Sequence, residues 1–444
     1  MTKNMRFASL AAALVVVALP LSLAAADQAP VSNPREIATQ VAKAVDDIYF
    51  DVKRGHTIAE GLRANAQKGD YDRFTNPLDL ATALTSYLHP FDGHFAVVYR
   101  PGDEPLPGGP RRGGPGAGPG PGPGPAPGPN SPVARQNYGF VHTEMLPGGI
   151  GYLQVNQFAQ INPKDANDPA HKAVDAALQS VAGARAIIID LRDSRGGAPS
   201  MVAYLASYFV PANAQIFNTF HTRGASLSEA PVTDPTGPRR LDTPLYILAN
   251  GGTGSASESF PYTLQTAKRA VIVGEPTNGR ANPGGFVPLS GGFAVFVSGG
   301  APENPITHTN WEGKGVLPDL PVASADALAR AQDVALQRLL TGADGPYAAE
   351  LRWLLADRNA SAFRTSDLQA YTGGYGAEAN VTIENGALVL HQGRRAATLR
   401  PVAPDVFVSL LDPLVHAQFE RQAGRVVALN VVTPMGPLAR FARP

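Results

Sequence analysis

Between residues 148 and 325, short apolar runs alternate with stretches of helical period, and this alternation restricts the fold more than any other feature. Ile150–Val155 reads as a strand and 169–181 as an amphipathic helix. Residues 186–189 are wholly apolar and end at Asp190, the pattern of a strand covered on both faces. A helix over 199–209, a strand over 244–248, a helix over 256–267 and a strand over 270–273 follow. Further helices are expected near 325–340 and 346–357. The rhythm predicts an α/β fold whose parallel strands are joined by crossover helices.

The flanks differ. Asn33-Pro34 and Asn76-Pro77 each place a capping residue before a proline, which suits the first helical position. Ile37, Val41, Val45 and Ile48 continue one helical stripe, and Leu80, Leu84 and Leu88 another. Phe95 to Tyr99 then reads as a strand. Toward the C-terminus, Asn385-Gly386 between two apolar runs is a hairpin signal. Strands over 406–408 and 426–429 complete a small antiparallel β domain.

From Pro101 to Asn130, 22 of 30 residues are glycine or proline. Such a stretch can neither bury apolar surface nor sustain a hydrogen-bonded ladder, which predicts a disordered linker. Residues 1–26 combine Lys3 and Arg6, an apolar run over 10–23 and Ala24-Ala25-Ala26, the layout of a cleaved secretory signal. Export to the periplasm or medium, with no stable membrane insertion after cleavage, is expected. The predicted division is a signal at 1–26, an N-terminal helical domain at 27–100 ending in the His94 strand and a linker at 101–133. An α/β core at 134–345 and a helix plus small β domain at 346–444 complete it.

Lysine and arginine total 37, as do aspartate and glutamate, so the formal charge is zero. That argues against nucleic acid as a partner. The chain has no cysteine, which excludes disulfides, thiolate nucleophiles and cysteine-ligated zinc or iron–sulfur centres.

Four segments carry potential chemistry, although each alone also reads as an ordinary turn. Gly251 to Glu258 follows an apolar strand and opens a helix. Serine at such a turn exposes its hydroxyl beside free backbone N–H groups. Ser257 and Ser259 compete with Ser255 there, and the lysine and second glycine of a phosphate-binding loop are missing. Asp190 to Gly197 ends another buried strand with Gly196-Gly197, which can bring a further N–H close to a ligand. Asp92-Gly93-His94 offers an imidazole suited to base chemistry. Trp311 to Asp319 places Glu312 beside a glycine turn.

In this order, these segments resemble the tail-specific (carboxyl-terminal processing) serine peptidases, whose family includes the tricorn core protease and the repeats of interphotoreceptor retinoid-binding protein. The resemblance rests on Ile150 to Val155, Ile188 to Arg192 with Gly196-Gly197, Ser255 to Glu258, Val273 to Gly279 and Gly315 to Asp319. It covers about residues 148–323, or 90–323 with the His94 segment. It implies a ClpP/crotonase-like α/β core, a peptide or protein substrate, and no metal or organic cofactor. The processing peptidases place a lysine base 25 residues after the serine, where this chain has Arg280, which cannot act as a base. Their PDZ domain is not visible here. The tricorn-like arrangement matches instead: Ser255 as nucleophile, His94 as base and Glu312 as its orienting acid. Ala256 and Gly197 (or Gly196) would supply oxyanion N–H groups. Gly93 stands where the tricorn pattern has serine. The resemblance leaves two alternatives: a ligand-binding protein without catalysis, or a Ser–Lys peptidase using Lys268 or Lys314. Oligomeric state is left open.

Overall fold

The structure, a computed structural model, describes residues 33–101, 131–162, 165, 167–228, 235–360 and 367–444. The expected signal at 1–26 and most of the expected linker at 101–133 lie outside the described residues. At the centre is a six-stranded sheet in the order Leu320–Pro321, Val271–Gly274, Leu245–Ala249, Ala186–Asp190, Ile150–Val155, Phe140–Leu146. All neighbours are parallel except the last pair. Alternation of side chains along the central strands assigns each to one of two cores. Ile187, Ile189 and Ile247 face helices Pro169–Ser180, Pro199–Ser207 and Ala256–Thr266, against Val174, Leu205 and Phe260. Ile188, Tyr246 and Leu248 face the opposite way, onto Ala331 and Leu336 of Ala327–Leu340 and Leu351 of Gly345–Asn359. The chain has the expected α/β core, covered on both faces.

Helices Pro34–Ile48, Val52–Lys68 and Pro77–Leu88 form the N-terminal layer. Asn33 and Asn76 cap two of them by accepting from Glu36 N and Leu78 N. The strand that follows, Ala96–Tyr99, pairs with Phe293–Ser298, which in turn pairs with Gly284–Pro288. The N-terminal helices therefore share one apolar core with a two-stranded excursion of the α/β unit: Val41, Leu62, Leu84 and Phe95 pack with Val295 and Val297. The sequence pattern does not anticipate this excursion, because its third strand lies about two hundred residues away in the chain. It holds the segment before Ala96 against the central unit.

The C-terminal part is an eight-stranded antiparallel meander from Gly373–Tyr375 to Gly436–Ala442, each strand beside its neighbour in sequence. The Asn385-Gly386 turn has positive φ at both residues, 49° and 80°, as a type I′ hairpin requires. Gly376 N donates to Ala442 O, bringing first and last strands together around Tyr375, Leu388, Phe407 and Leu429. Among the described residues, no helix is long and apolar enough to cross a membrane.

Phe95 is fully buried between the N-terminal helices and the excursion. Phe95→Ala should cost about 3–5 kcal/mol, read as a lowered denaturant midpoint. A loss below about 1 kcal/mol would contradict the shared core.

Candidate active site

Ser255 stands between the buried strand Leu245–Ala249 and the helix Ala256–Thr266, with φ 56° and ψ −124°. A non-glycine residue there is strained, by roughly 1–3 kcal/mol, and needs neighbours that hold it. Glu258, wholly buried one turn into the helix, provides the hold. Its Oε2 accepts from Ser255 N at 2.7 Å and Arg280 N at 2.9 Å. Its Oε1 accepts from Thr277 Oγ1 and Gly279 N, both at 2.6 Å. The sequence shows Glu258 only as part of an ordinary capping pattern, Ser-x-x-Glu. What sets it apart is the remote strand-end loop that it also binds.

The three serines of this turn are distinct. Ser257 is buried, with its hydroxyl against Ser194 Oγ at 2.7 Å and accepting from Gly196 N at 3.0 Å. Ser259 is buried and accepts from Asn218 Nδ2. Ser255 is exposed, and among the described residues its hydroxyl has no side-chain partner.

The loop after Asp190 lies directly on this turn. Gly254 N donates to Ser194 O, and a methyl group built on Gly196 would fall 2.8 Å from Ser255 Cβ. At Gly197 (φ 136°) a methyl would fall 1.9 Å from Phe158 O, so only glycine fits. Because Gly196 N is taken by Ser257, the expected pair narrows to Gly197. Its N–H and that of Ala256 donate to no described residue. The N-terminus of the 256–266 helix adds a positive dipole end beside Ser255.

His94 enters from the N-terminal layer, immediately before the strand paired to Phe293–Ser298. Its Nδ1 is 3.2 Å from Glu312 Oε1 and 3.4 Å from Asp92 Oδ1. The other Glu312 oxygen accepts from Ala281 N at 2.7 Å and Asn282 N at 3.0 Å. Burial alone would lower the His94 pKa, but the two carboxylates outweigh it and raise it to about 9. Burial likewise opposes ionisation of Asp92, yet its bonds from His94 and Asn282 hold it below the usual carboxylate range. Asp92, His94 and Glu312 offer ligand atoms within 4.8 Å of one another and could hold a cation. Their oxygens are already engaged by backbone and amide N–H groups, which suits a clamp on the imidazole. Ser255 Oγ and His94 Nε2 are not hydrogen-bonded to each other, a closure that unliganded sites often leave for substrate.

The remaining cations of interest are exposed. Arg280 contributes its backbone N–H to Glu258 while its side chain is exposed. Lys268 is exposed beyond the far end of the 256–266 helix, about 20 Å from Ser255 at 1.5 Å per residue. Lys314 is exposed in the turn after Glu312.

Residues 149–322 match peptidase family S41. The chain is similar to the carboxyl-terminal-processing protease of a Synechocystis species, 32% identical over 222 residues, which are 48% of this chain and 48% of that protein. It is 31% identical to the chloroplastic carboxyl-terminal-processing peptidase 2 of Arabidopsis thaliana over 175 residues, 39% of this chain and 32% of that one. The chain thus spans about a third to a half of the length of these relatives. A solved structure, the photosystem II D1 C-terminal processing protease, aligns with a TM-score of 0.41 at 17% identity, over 68% of this chain and 97% of that one. Ser255, Glu258, Gly197 and Glu312 fall inside the family match; His94 and Asp92 precede it.

Two outcomes follow from the charges. A His94 pKa raised from 6.5 to about 9 by the fold stabilises the protein fully below pH 6.5, and this contribution fades as pH rises through 9. The denaturant midpoint of wild type should therefore fall over that window relative to His94→Gln; parallel curves would refute the coupling. Glu258→Gln replaces one accepting oxygen with an NH2 donor that faces converging N–H groups, and should cost about 3 kcal/mol or more in an equilibrium unfolding measurement.

Proposed function

We propose, from the match of residues 149–322 to peptidase family S41, that the chain is a serine peptidase that cleaves peptide bonds through an acyl-enzyme. Ser255 Oγ attacks the scissile carbonyl carbon while His94 Nε2 takes its proton. The oxyanion is held by Ala256 N and Gly197 N; losing one such donor costs about 2.7–4 kcal/mol in the transition state. The amine leaves with the proton from His94, and water then hydrolyses the ester by the same route in reverse. Glu312 keeps the other imidazole proton on Nδ1, so that Nε2 is free to act.

The observation that carries this reading is the 3.2 Å contact between His94 and Glu312, made across 218 residues of sequence and anchored one residue from the loop that Glu258 ties to Ser255. A Ser–Lys mechanism lacks support: Arg280 occupies the lysine position, and Lys268 and Lys314 are both exposed, the former about 20 Å from Ser255. The substrate is a peptide or protein. The basic, apolar and small-residue pattern of 1–26 supports export to the periplasm or medium. The division into N-terminal helical, α/β peptidase and C-terminal β parts is part of the same proposal.

Mature protein treated with a fluorophosphonate probe, followed by intact mass, tests the reading. One adduct is expected on wild type and on Arg280→Ala, and none on Ser255→Ala. His94→Ala should lose at least 1000-fold in labelling rate. Folded wild type that stays unlabelled at every pH would defeat it in favour of ligand binding. Since His94 must be neutral to act and only about 1% is so at pH 7, labelling should rise close to tenfold per pH unit and level off near pH 9.

A further inference from the structure

The imidazole of His94 faces two carboxylates, and only Glu312 has a role in the reading above. Asp92 is the more deeply placed: its side chain is 1% exposed against 19% for Glu312. Its Oδ1 accepts from the backbone N–H of His94 at 2.8 Å and lies 3.4 Å from Nδ1 of the same residue. The carboxylate is thereby fixed to the main chain that carries the imidazole. Its Oδ2 accepts from Asn282 Nδ2 at 3.1 Å, while the backbone N–H of Asn282 donates to Glu312 Oε2 at 3.0 Å. One asparagine thus holds both acids, by side chain on one and by main chain on the other.

From this geometry we infer that Asp92 is a second positioning residue for His94, sharing the Nδ1 proton with Glu312, and that Asn282 sets the separation of the two acids. The inference rests on the serine–histidine reading. Gly93 leaves no side chain between the two residues to compete for the ring. Phe296 stacks on the face of the imidazole, with centroids 5.9 Å apart and 24° between the planes, so the ring is confined by apolar contact as well as by the two acceptors. Two acceptors around one N–H hold the proton on Nδ1 more firmly than one would, which leaves Nε2 as the free nitrogen. The titratable groups around the ring are Asp92, Glu312 and, on the Asp92 side, Tyr49, whose phenol burial and Asp92 keep neutral.

The test compares wild type with Asp92→Asn, Glu312→Gln, the double variant and Asn282→Ala. For each, the fluorophosphonate labelling rate is measured across pH 5–10, and downfield proton NMR follows the Nδ1–H resonance. Asp92→Asn should lower the high-pH plateau about 10-fold or more and move the midpoint to lower pH, because one negative neighbour of the imidazolium is gone. Glu312→Gln should act in the same direction. The double variant should lose more than the product of the two single losses, since each acid covers for the other. Asn282→Ala should shift the midpoint the same way by less, and serves if Asp92→Asn does not fold. A folded Asp92→Asn with the wild-type plateau, midpoint and Nδ1–H signal overturns the inference, as does a wild-type profile in folded Asn282→Ala. Wild type unlabelled at all pH values would defeat the serine–histidine reading instead. In that case the NMR signal alone still decides whether Asp92 shares the proton.

Discussion

Four consecutive peptide N–H groups, Gly279 to Asn282, are divided between two carboxylates, and the geometry of the site depends on that division. Gly279 and Arg280 donate to Glu258, which also receives the N–H of Ser255. Ala281 and Asn282 donate to Glu312, which reaches His94. The serine and the histidine come from opposite layers of the molecule, yet each is referred to the same short strip of backbone. A carboxylate accepting several N–H bonds is tightly placed, because charge-assisted bonds are short and directional. The side chain of Arg280 plays no part in this. Its position matters through the main chain, whose N–H binds Glu258.

The other half of the construction is close approach. The 194–197 loop can lie on the Ser255 turn only because Gly196 presents no methyl group, and the reversal at Gly197 brings its backbone against Phe158 O. Strain at Ser255 is tolerated because the peptide N–H it turns inward finds Glu258. Ser257, fully buried, fills the remaining gap by joining Ser194 to Gly196 N. The two N–H groups left over, at Gly197 and Ala256, flank Ser255. Packing around the turn thus determines which donors are free.

Much of the central fold was legible in the sequence, since parallel strands buried on both faces read as unbroken apolar runs and their helices carry clear stripes. Local signals also exposed the Asn385-Gly386 hairpin and the Asn-Pro helix starts. Legibility failed where meaning is non-local. Strand 293–298 is a plain apolar run, but its partner strand Ala96–Tyr99 lies about two hundred residues earlier in the chain. His94, Ser255 and Glu312 could be named from short motifs together with the family resemblance. Asp92 could not, because its role depends on Asn282, 190 residues away. The choice of Gly197 over Gly196 has no sequence signal at all; it turns on where the hydroxyl of Ser257 points.

Two acids on one imidazole carry a cost as well as a benefit. They fix the tautomer and the ring, but they also favour the imidazolium, which cannot accept a proton from Ser255. A single buried carboxylate would bind the neutral ring less firmly and leave its basicity lower. Here burial opposes the charge and the acids overcome it. When a peptide covers the site and removes water, both effects strengthen, because each is electrostatic and the local dielectric falls. The proton leaving Ser255 would then arrive at a nitrogen whose protonated form is already favoured, which lowers the energy of the tetrahedral intermediate. In the proposed mechanism, the two acids that favour the His94 imidazolium therefore also assist the step that follows attack, and the balance depends on how far Asp92 and Glu312 stand from Nδ1.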